Sequence, residues 1–189
     1  MGNFYVNMTA KGANQDEVLA TLAKLKRKAF VFPTVNGFTT FCDALSETQE
    51  PGVIDELARK ASNDLGCPLL CVLNHDDDVL WFGLYKKGEL LDEYDSFPGY
   101  FEGHFNPPKG GDAASLCKLM GATNNEIVAG VEAVLRKPHN EDGYIFEVDR
   151  HAALVEAVGL PSFSVGAGYR YLERGELPEG LEGKDIKQS

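Results

Sequence analysis

PLLCVLNHDDDVLWFGLYKKGELLDEYD, residues 68–95, is the stretch that decides the predicted fold, because its pattern predicts three successive β-strands. The three runs are rich in branched and aromatic residues, and turn-forming residues separate them: 68–74, 79–85 and 89–95. Counting outward from a two-residue turn at Lys87-Gly88 places Trp81 opposite Tyr94. A four-residue turn at 75–78, the acidic turn, then places Val72 beside Trp81.

Both faces of this three-stranded meander are predicted to be apolar. One face collects these side chains: Val72, Trp81, Tyr85, Leu90 and Tyr94. The other face collects these: Leu69, Cys71, Leu73, Leu80, Phe82, Leu84 and Leu91. A sheet that is apolar on both sides must be covered on both sides. We therefore expect helices before residue 66 to cover one face and the C-terminal half of the chain to cover the other.

The residues before this stretch predict the order strand, helix, strand, strand, helix. A strand is expected at 3–9, and a helix follows from Asn14, which can cap it. The dipeptide Asn36-Gly37 joins two β-rich runs and predicts a hairpin. A second helix is expected at 51–65. With the first strand of the meander, this order resembles the split βαβ pattern of ferredoxin-like folds, a resemblance in element order alone that carries no function.

The C-terminal half is predicted to be mainly helical and to dock on the sheet. Residues 96–111 form a loop too rich in aromatic residues, Gly and Pro for a solvated linker. Helices are expected at 112–120, 124–136 and 149–159, a strand at 144–148, and a loop with a short strand at 163–172, while the last dozen residues fray. These patterns predict an α+β protein with a sheet domain at 1–103 and a helical lobe at 104–189, the alternative being one single domain.

Composition narrows the class of partner. The chain has 189 residues, 43% of them hydrophobic, with 29 acidic and 18 basic residues and a formal charge of −11. Nucleic-acid binding needs clustered cations, so we expect no nucleic-acid partner. No run reaches the roughly 18 apolar residues of a membrane span, so no membrane partner is expected. The four cysteines have no Cys-x-x-Cys spacing, which predicts reduced thiols and a cytoplasmic location.

The acidic turn is the first candidate site. Three consecutive residues, Asp76, Asp77 and Asp78, form most of it, and the strand count brings Asp95 alongside Leu80, one step from Asp78. Hard cations such as Mg²⁺ and Ca²⁺ prefer converging oxygen ligands, so these four aspartates predict a metal site, and no other cofactor is predicted. The alternative is a solvated loop, since the turn lacks the Asp-x-Asp-x-Asp-Gly spacing of a calcium loop.

Aromatic and acidic residues around this turn form the second candidate, a binding surface. It comprises seven residues: His75, Trp81, Asp92, Glu93, Tyr94, Tyr100 and Phe101. Aromatic residues that alternate along strands are core residues more often than ligand platforms, which is the competing interpretation. Asp92 and Glu93 lie among these aromatics, and a carboxylate with apolar neighbours is expected to titrate above its ordinary pKa.

No catalytic constellation is identified, so the catalytic residues are unknown. The run 162–166 lacks the first Gly of a nucleophile elbow, and Gly166-x-Gly168 lacks the third Gly of a dinucleotide fingerprint. Two function classes follow. The first is a non-catalytic intracellular binding protein whose acidic surface pairs with a basic protein partner, as in inhibitor or immunity-like proteins. The second is a divalent-cation-dependent hydrolase with its carboxylates at the acidic turn.

Overall fold

The computed structural model describes residues 2–189, and its centre is one antiparallel β-sheet. The eight strands are β1 (Phe4–Lys11), β2 (Ala29–Val31), β3 (Phe38–Asp43), β4 (Leu69–His75), β5 (Val79–Lys86), β6 (Glu89–Asp95), β7 (Lys109–Gly110) and β8 (Lys187–Gln188). Their order across the sheet is β7-β6-β5-β4-β1-β3-β2-β8. The protein is therefore an α+β protein, and the predicted meander is its β4-β5-β6 section.

Six α-helices accompany the sheet within residues 2–189: α1 (Gln15–Lys24), α2 (Pro51–Leu65), α3 (Ala113–Met120), α4 (Asn125–Arg136), α5 (Glu147–Val158) and α6 (Tyr169–Glu173). Asn14 caps α1, accepting from the amide of Glu17 while the Glu17 carboxylate accepts from the amide of Asn14. Pro51 begins α2, and Gly66 ends it in the left-handed conformation. Across these residues, no helix combines the length and apolar character needed to cross a membrane.

The first face of the sheet packs against α1 and α2. Its core joins apolar residues of the two helices to alternate residues of the strands: Val6, Met8, Val18, Leu22, Ile54, Leu57, Ala58, Leu69, Cys71 and Tyr85. Val18 and Leu22 of α1 are one helical turn apart, so both reach the sheet. Burying side chains of this size stabilises the fold by about 1.5–3 kcal/mol each before the cost of ordering the chain.

The second face packs against α3, α4 and α5. Its core also alternates strand and helix residues: Leu70, Val72, Leu80, Phe82, Leu84, Tyr94, Leu116, Met120, Val131, Leu135, Leu154 and Val155. The Tyr94 hydroxyl donates to the carbonyl of Leu135 at 3.0 Å, so its polar atom is satisfied inside the core. Helices therefore pack on both faces of the meander, as its two-sided apolar pattern predicts.

The predicted register between β4 and β5 is wrong by one residue. Val72 lies opposite Phe82 rather than beside Trp81, and His75 pairs with Val79. The loop between the strands therefore has three residues, two of which, Asp76 and Asp77, adopt left-handed φ angles of 52° and 65°. A one-residue shift moves every side chain to the other face, so Val72 joins the second face while its neighbours Leu69, Cys71 and Leu73 join the first.

The predicted register between β5 and β6 is also wrong, because β6 contains a β-bulge. Tyr85 pairs with Leu90 as the turn predicts, but the register shifts between Leu84 and Tyr85, which leaves Leu91 as the extra residue. Beyond the bulge Trp81 lies opposite Asp95, and Phe82 lies opposite Tyr94. The bulge therefore reverses the faces of the last residues of β6.

The expected strand at 144–148 does not form, because residues 144–146 are irregular and residues 147–148 begin α5. The amide of Glu147 donates to the carbonyl of Asp77 at 2.9 Å, and its buried carboxylate pairs with Arg150 one turn later at 2.6 Å. Arg150 also donates to the carbonyls of Val134 and Lys137, at 2.8 Å each. This buried ion pair joins the end of α4 to the start of α5. The sequence pattern that predicts a strand at 144–148 contains no sign of this pair.

The end of the chain is also more ordered than predicted. The expected short strand within 163–172 is replaced by α6, whose first amides, of Tyr169 and Arg170, donate to the buried carboxylate of Glu47. The residues expected to fray include β8, which pairs with β2, and the amide of Ser189 donates to the carbonyl of Ala29 at 3.1 Å. In both cases a partner distant in sequence decides the local structure.

Candidate functional site

A cleft of about 400 Å³ opens on the first face of the sheet, where α2 begins. Pro51 and Ile54 of α2 form one wall, while strand residues and a loop form the others. The apolar lining from the strands and the loop is Phe4, Leu73, Val79, Trp81 and Phe101. The polar lining is Thr48, Gln49, His75, Glu93 and Asp95. This mixture of aromatic walls and a few convergent polar groups is typical of ligand sites.

Trp81 is held in the cleft by its neighbours on β5 and β6. Its indole Nε1 donates to the Glu93 carboxylate at 2.7 Å. Gly83 lies directly opposite Glu93 in the sheet, and a Cβ at Gly83 would stand only 2.7–2.8 Å from the rings of Tyr85 and Trp81. The absence of a side chain at this position therefore lets both rings close over the strand.

The orientation of His75 is fixed by Gln49. The amide nitrogen of Gln49 donates to the carbonyl of Asn74 at 2.8 Å, so its oxygen faces His75. That oxygen lies 2.7 Å from Nδ1 of His75, which must be the donor. In the neutral imidazole the proton is then on Nδ1, and Nε2 is a hydrogen-bond acceptor.

Asp95 is a partly desolvated carboxylate at the edge of the cleft. One of its oxygens accepts from the amide of Phe97 at 2.9 Å, and burial raises the pKa of the carboxyl above its ordinary value. Within residues 2–189, the other oxygen of Asp95 and the second oxygen of Glu93 receive no hydrogen bond from the protein. Both carboxylates therefore keep an acceptor for a ligand.

An aromatic loop, residues 96–108, borders the cleft. Its rings form a chain that begins at His75: Phe101 lies 5.1 Å from His75 and 5.1 Å from Tyr100, and Phe97 lies 5.6 Å from Tyr100 and 5.4 Å from Phe105. Aromatic pairs at these separations stabilise each other beyond simple burial. The loop is therefore organised by its own rings.

The acidic turn anchors this loop. The Tyr100 hydroxyl donates to the Asp78 carboxylate at 2.8 Å, a hydrogen bond that raises the pKa of Tyr100. Two large rings of the loop are exposed to solvent, since Phe101 is 74% exposed and Phe105 is 88% exposed. We call Asp76, Asp78, Tyr100, Phe101 and Phe105 together the acidic aromatic surface.

The four aspartates predicted as metal ligands do not converge. The Asp77 carboxylate accepts from Asn3 and from Asn74, and that of Asp78 accepts from Tyr100. Asp95 lies opposite Trp81 rather than alongside Leu80, because of the bulge in β6. Within the described residues 2–189, no group of three or more His, Cys, Asp or Glu side chains could hold a metal ion.

The structure divides the seven residues predicted as a binding surface between the two faces. Four of them line the cleft, namely His75, Trp81, Glu93 and Phe101, and Tyr100 packs beside them. Tyr94 is fully buried in the core of the second face, and Asp92 accepts from the amide of Asp112 at 2.6 Å. Tyr94 and Asp92 therefore lie on the face of the sheet opposite the cleft, because the bulge at Leu91 reverses the faces of the following residues of β6.

Sequence reasoning missed several residues of this region. Phe4, Gln49 and Pro51 line the cleft, although they lie in segments distant in sequence from the acidic turn. Only tertiary contacts bring them together, so no local signal identifies them. The sequence places Phe105 in an aromatic loop but does not predict its exposure, which depends on its packing beside Phe97.

A buried histidine elsewhere has no route to a ligand. His151 of α5 is 1% exposed, and its Nδ1 lies 2.7 Å from the hydroxyl of Tyr5. Burial lowers the pKa of His151 to about 3 and raises the pKa of Tyr5, so both groups stay uncharged at neutral pH. This pair connects α5 to β1 as a structural hydrogen bond.

The remaining reactive side chains are also structural. The four cysteines are free thiols, as predicted; Cys42, Cys71 and Cys117 are buried, and Cys67 is half-buried. Burial raises the pKa of each thiol, which disfavours the reactive thiolate.

The cleft and the acidic aromatic surface are therefore the strongest candidates for function. Comparison with protein-family models, curated proteins and solved structures found no match to the chain.

Proposed function

We propose that the protein is a non-catalytic intracellular binding protein that takes a basic protein partner on the acidic aromatic surface, as inhibitor or immunity-like proteins do. One observation carries the proposal: Phe101 and Phe105 are exposed by 74% and 88% on a loop that aromatic stacking and the Tyr100–Asp78 hydrogen bond hold in place. Large exposed apolar residues next to polar ones mark interaction sites. Held in an ordered loop, they lose little entropy on binding.

Charge supports a basic partner. The chain carries 29 acidic against 18 basic residues. Tyr100, which packs against Phe101, donates to Asp78 and lies close enough to Asp76 for that charge to act on it. An acidic surface accelerates encounter with a basic protein and repels acidic ones. Aromatic anchors would then supply most of the binding energy, since interface hot spots are enriched in such residues.

The divalent-cation-dependent hydrolase is the alternative, and it has no observation in its favour. A metal site needs carboxylates that converge on one point. In residues 2–189 the oxygens of Asp77 and Asp78 instead accept hydrogen bonds from protein groups. We therefore retain the binding function.

Two finer points accompany this proposal. We propose that β1–β4 with α1 and α2 form a ferredoxin-like unit, supported by the order β4-β1-β3-β2 with every neighbouring pair antiparallel. We also propose a cytoplasmic location, supported by four free thiols. Neither point identifies the partner.

Selection from a displayed peptide library tests the binding function without naming a partner in advance. The wild-type chain is used as bait, and the Kd of enriched peptides is then measured by fluorescence anisotropy. We expect enriched peptides to be rich in Lys and Arg and to lose affinity as salt rises. Phe105→Ser should weaken their binding by roughly tenfold, since a buried aromatic anchor carries at least that much.

Leu45→Ser is the matched control for this experiment. Leu45 is also exposed, by 56%, and it does not line the cleft. Its substitution should leave the Kd unchanged if the acidic aromatic surface is the docking site. Peptides without net positive charge, or an equal loss of affinity in both variants, would contradict the proposal.

A further inference from the structure

We infer that the cleft is a pocket for one Lys or Arg side chain of the basic partner. The inference rests on the proposed function for the identity of the partner as a basic protein. The cleft itself, however, is a site for an alkylammonium or alkylguanidinium group and can be tested with small molecules. The argument depends on the donors, the charges and the walls of the cleft.

The side-chain donors of the cleft already have protein acceptors. Thr48 donates to the carbonyl of Leu45 at 2.8 Å, Gln49 donates to the carbonyl of Asn74, and the Trp81 indole donates to Glu93. The Nδ1 proton of His75 is directed to the oxygen of Gln49. What the cleft still presents to a ligand is mainly acceptors, so a ligand rich in N–H groups fits it and an anion does not.

Apart from His75, the ionisable side chains that line the cleft are carboxylates. Glu93 and Asp95 each keep one carboxylate oxygen without a protein donor, and no Lys or Arg is among the described residues that line the cleft. Neither carboxylate forms a salt bridge with any residue in 2–189. A bound cation would therefore be the first opposite charge close to these two carboxylates. It would favour the charged form of Asp95, which burial disfavours by raising the pKa of this carboxyl.

The walls suit a long cationic side chain. Trp81 and Phe101 contribute aromatic rings to the lining, and such rings stabilise ammonium and guanidinium groups by cation–π attraction. The Phe4 ring already holds a cation in this way, since the Arg170 guanidinium lies 5.6 Å from its centroid. Pro51 and Leu73 provide accessible apolar surface for the methylene stem, which Lys and Arg pack against apolar groups. The volume of about 400 Å³ is within the range of roughly 300–1,000 Å³ found for small-ligand pockets.

Titration with capped amino acids tests the inference. The probes are N-acetyl-lysine methylamide, N-acetyl-arginine methylamide and, as the neutral comparison, N-acetyl-norleucine methylamide. Trp81 is the single tryptophan of the chain, so its fluorescence and its indole N–H resonance report on the cleft alone. We expect saturable changes with both cations, and at least about tenfold weaker binding of norleucine.

Three substitutions separate the cleft from the acidic aromatic surface. Glu93→Gln keeps an acceptor for the Trp81 indole but removes the charge, and it should weaken both cations toward the norleucine value. Phe105→Ser is measured on the selected peptides, whose binding it should weaken, while Leu45→Ser, an exposed position outside the cleft, should leave the cation titration unchanged. Thus the pocket and the proposed docking surface can fail independently.

The outcomes that overturn the inference are specific. Norleucine binding as tightly as lysine and arginine would show that the cleft does not recognise charge. The same conclusion follows if a Glu93→Gln variant with a wild-type melting curve binds the cations unchanged. Should Glu93→Gln fail to fold, Asp95→Asn provides the same comparison, because the Asn oxygen can still accept from the amide of Phe97.

Discussion

The two faces of the sheet are built from the same strands but end differently. On the second face, α3, α4 and α5 cover the meander, and Tyr94 is fully buried with its hydroxyl satisfied by Leu135. On the first face α2 begins at Pro51, and the cleft lies beside this start, where Trp81 and Glu93 stay partly or largely exposed. The first face is incompletely covered, which leaves room for the cleft. The second face is fully covered by α3, α4 and α5, so its meander residues have no comparable opening.

Polar groups show the same contrast. On the second face, Arg150 is fully buried, and its guanidinium donates to the Glu147 carboxylate and to backbone carbonyls. Across residues 2–189 no buried side-chain nitrogen or oxygen lacks a hydrogen-bond partner. The partly exposed carboxylates of the cleft keep acceptors without protein donors. Satisfied groups fix a structure, whereas accessible unsatisfied ones are available to a ligand.

The largest expected effect comes from removing the cover of the second face. A chain that stops at Gly103 would leave Leu80, Phe82 and Leu84 without α3–α5. We expect it to aggregate or to become molten, since exposed apolar surface of this kind drives association. Thermal melts followed by near-ultraviolet circular dichroism, with size-exclusion chromatography, measure this.

If the shortened chain is monomeric and melts as cooperatively as the full chain, the proposed difference between the two faces is wrong. Such a result would mean that the second face does not need its helices for stability. It would also support a separate domain at 1–103, which the contacts between α5 and β5 argue against.

A smaller effect is expected from pH at the buried pair that joins α5 to β1. The pKa of His151 is lowered from 6.5 to about 3 in the folded protein, so between these values the unfolded state binds more protons. Above pH 6.5 His151 is neutral in both states, and its titration does not lower the free energy of unfolding. As the pH falls from 6.5 toward 3, the free energy of unfolding decreases by no more than about 1.4 kcal/mol per pH unit. The free energy of unfolding in urea, measured across this range, gives the slope.

His151→Gln isolates this contribution, because Gln can still accept from the Tyr5 hydroxyl but does not titrate. The carboxyls of Glu47 and Asp95, whose pKa values are raised by burial, change stability with the opposite sign and cancel between the two proteins. The variant should show a shallower fall of stability with acid. Identical slopes would mean that His151 is charged, or solvated, in the folded state.

The smallest effect, with the opposite sign, is expected at the cleft. Burial raises the pKa of Asp95 above 3.8, so the folded state disfavours its charged form. This destabilisation is present above the folded pKa and disappears as the pH falls below 3.8. Asp95→Asn should therefore increase stability at pH 7 and leave it unchanged at low pH.

Urea titrations of wild type and Asp95→Asn at both pH values test this prediction, with Asp92→Asn as the control outside the cleft. A loss of stability at pH 7 would show that the Asp95 carboxylate stabilises the fold. The contrast between a stabilising second face and a cleft that costs stability would then no longer hold.

The parts of the fold that could be predicted are those encoded locally. The Asn14–Glu17 capping box, the Asn36-Gly37 hairpin and the Gly66 helix end each depend on neighbouring residues, and each is found. The structures missed at 144–148 and 163–172 depend instead on partners far along the chain. Glu47, for example, accepts from the amide of Tyr169 across 122 positions.

The candidate site was predictable in composition but not in geometry. The aromatic and acidic residues around the acidic turn were identified from their types, and four of the seven line the cleft. The face of the sheet on which each residue lies was not predicted. The β4–β5 register depends on the left-handed residues Asp76 and Asp77, and the β5–β6 register depends on one extra residue in β6. Because side chains alternate between the two faces of a strand, an error of one residue in the register assigns every following side chain to the wrong face.

The bulge at Leu91 has an evolutionary consequence. Because it reverses the phase of β6, it decides that Glu93 and Asp95 face the cleft while Tyr94 enters the core. Deleting one residue there would send the carboxylates inward and the ring outward, although no amino acid in 92–95 had changed. In such a strand, a single-codon insertion or deletion exchanges the side chains of the two faces in one step.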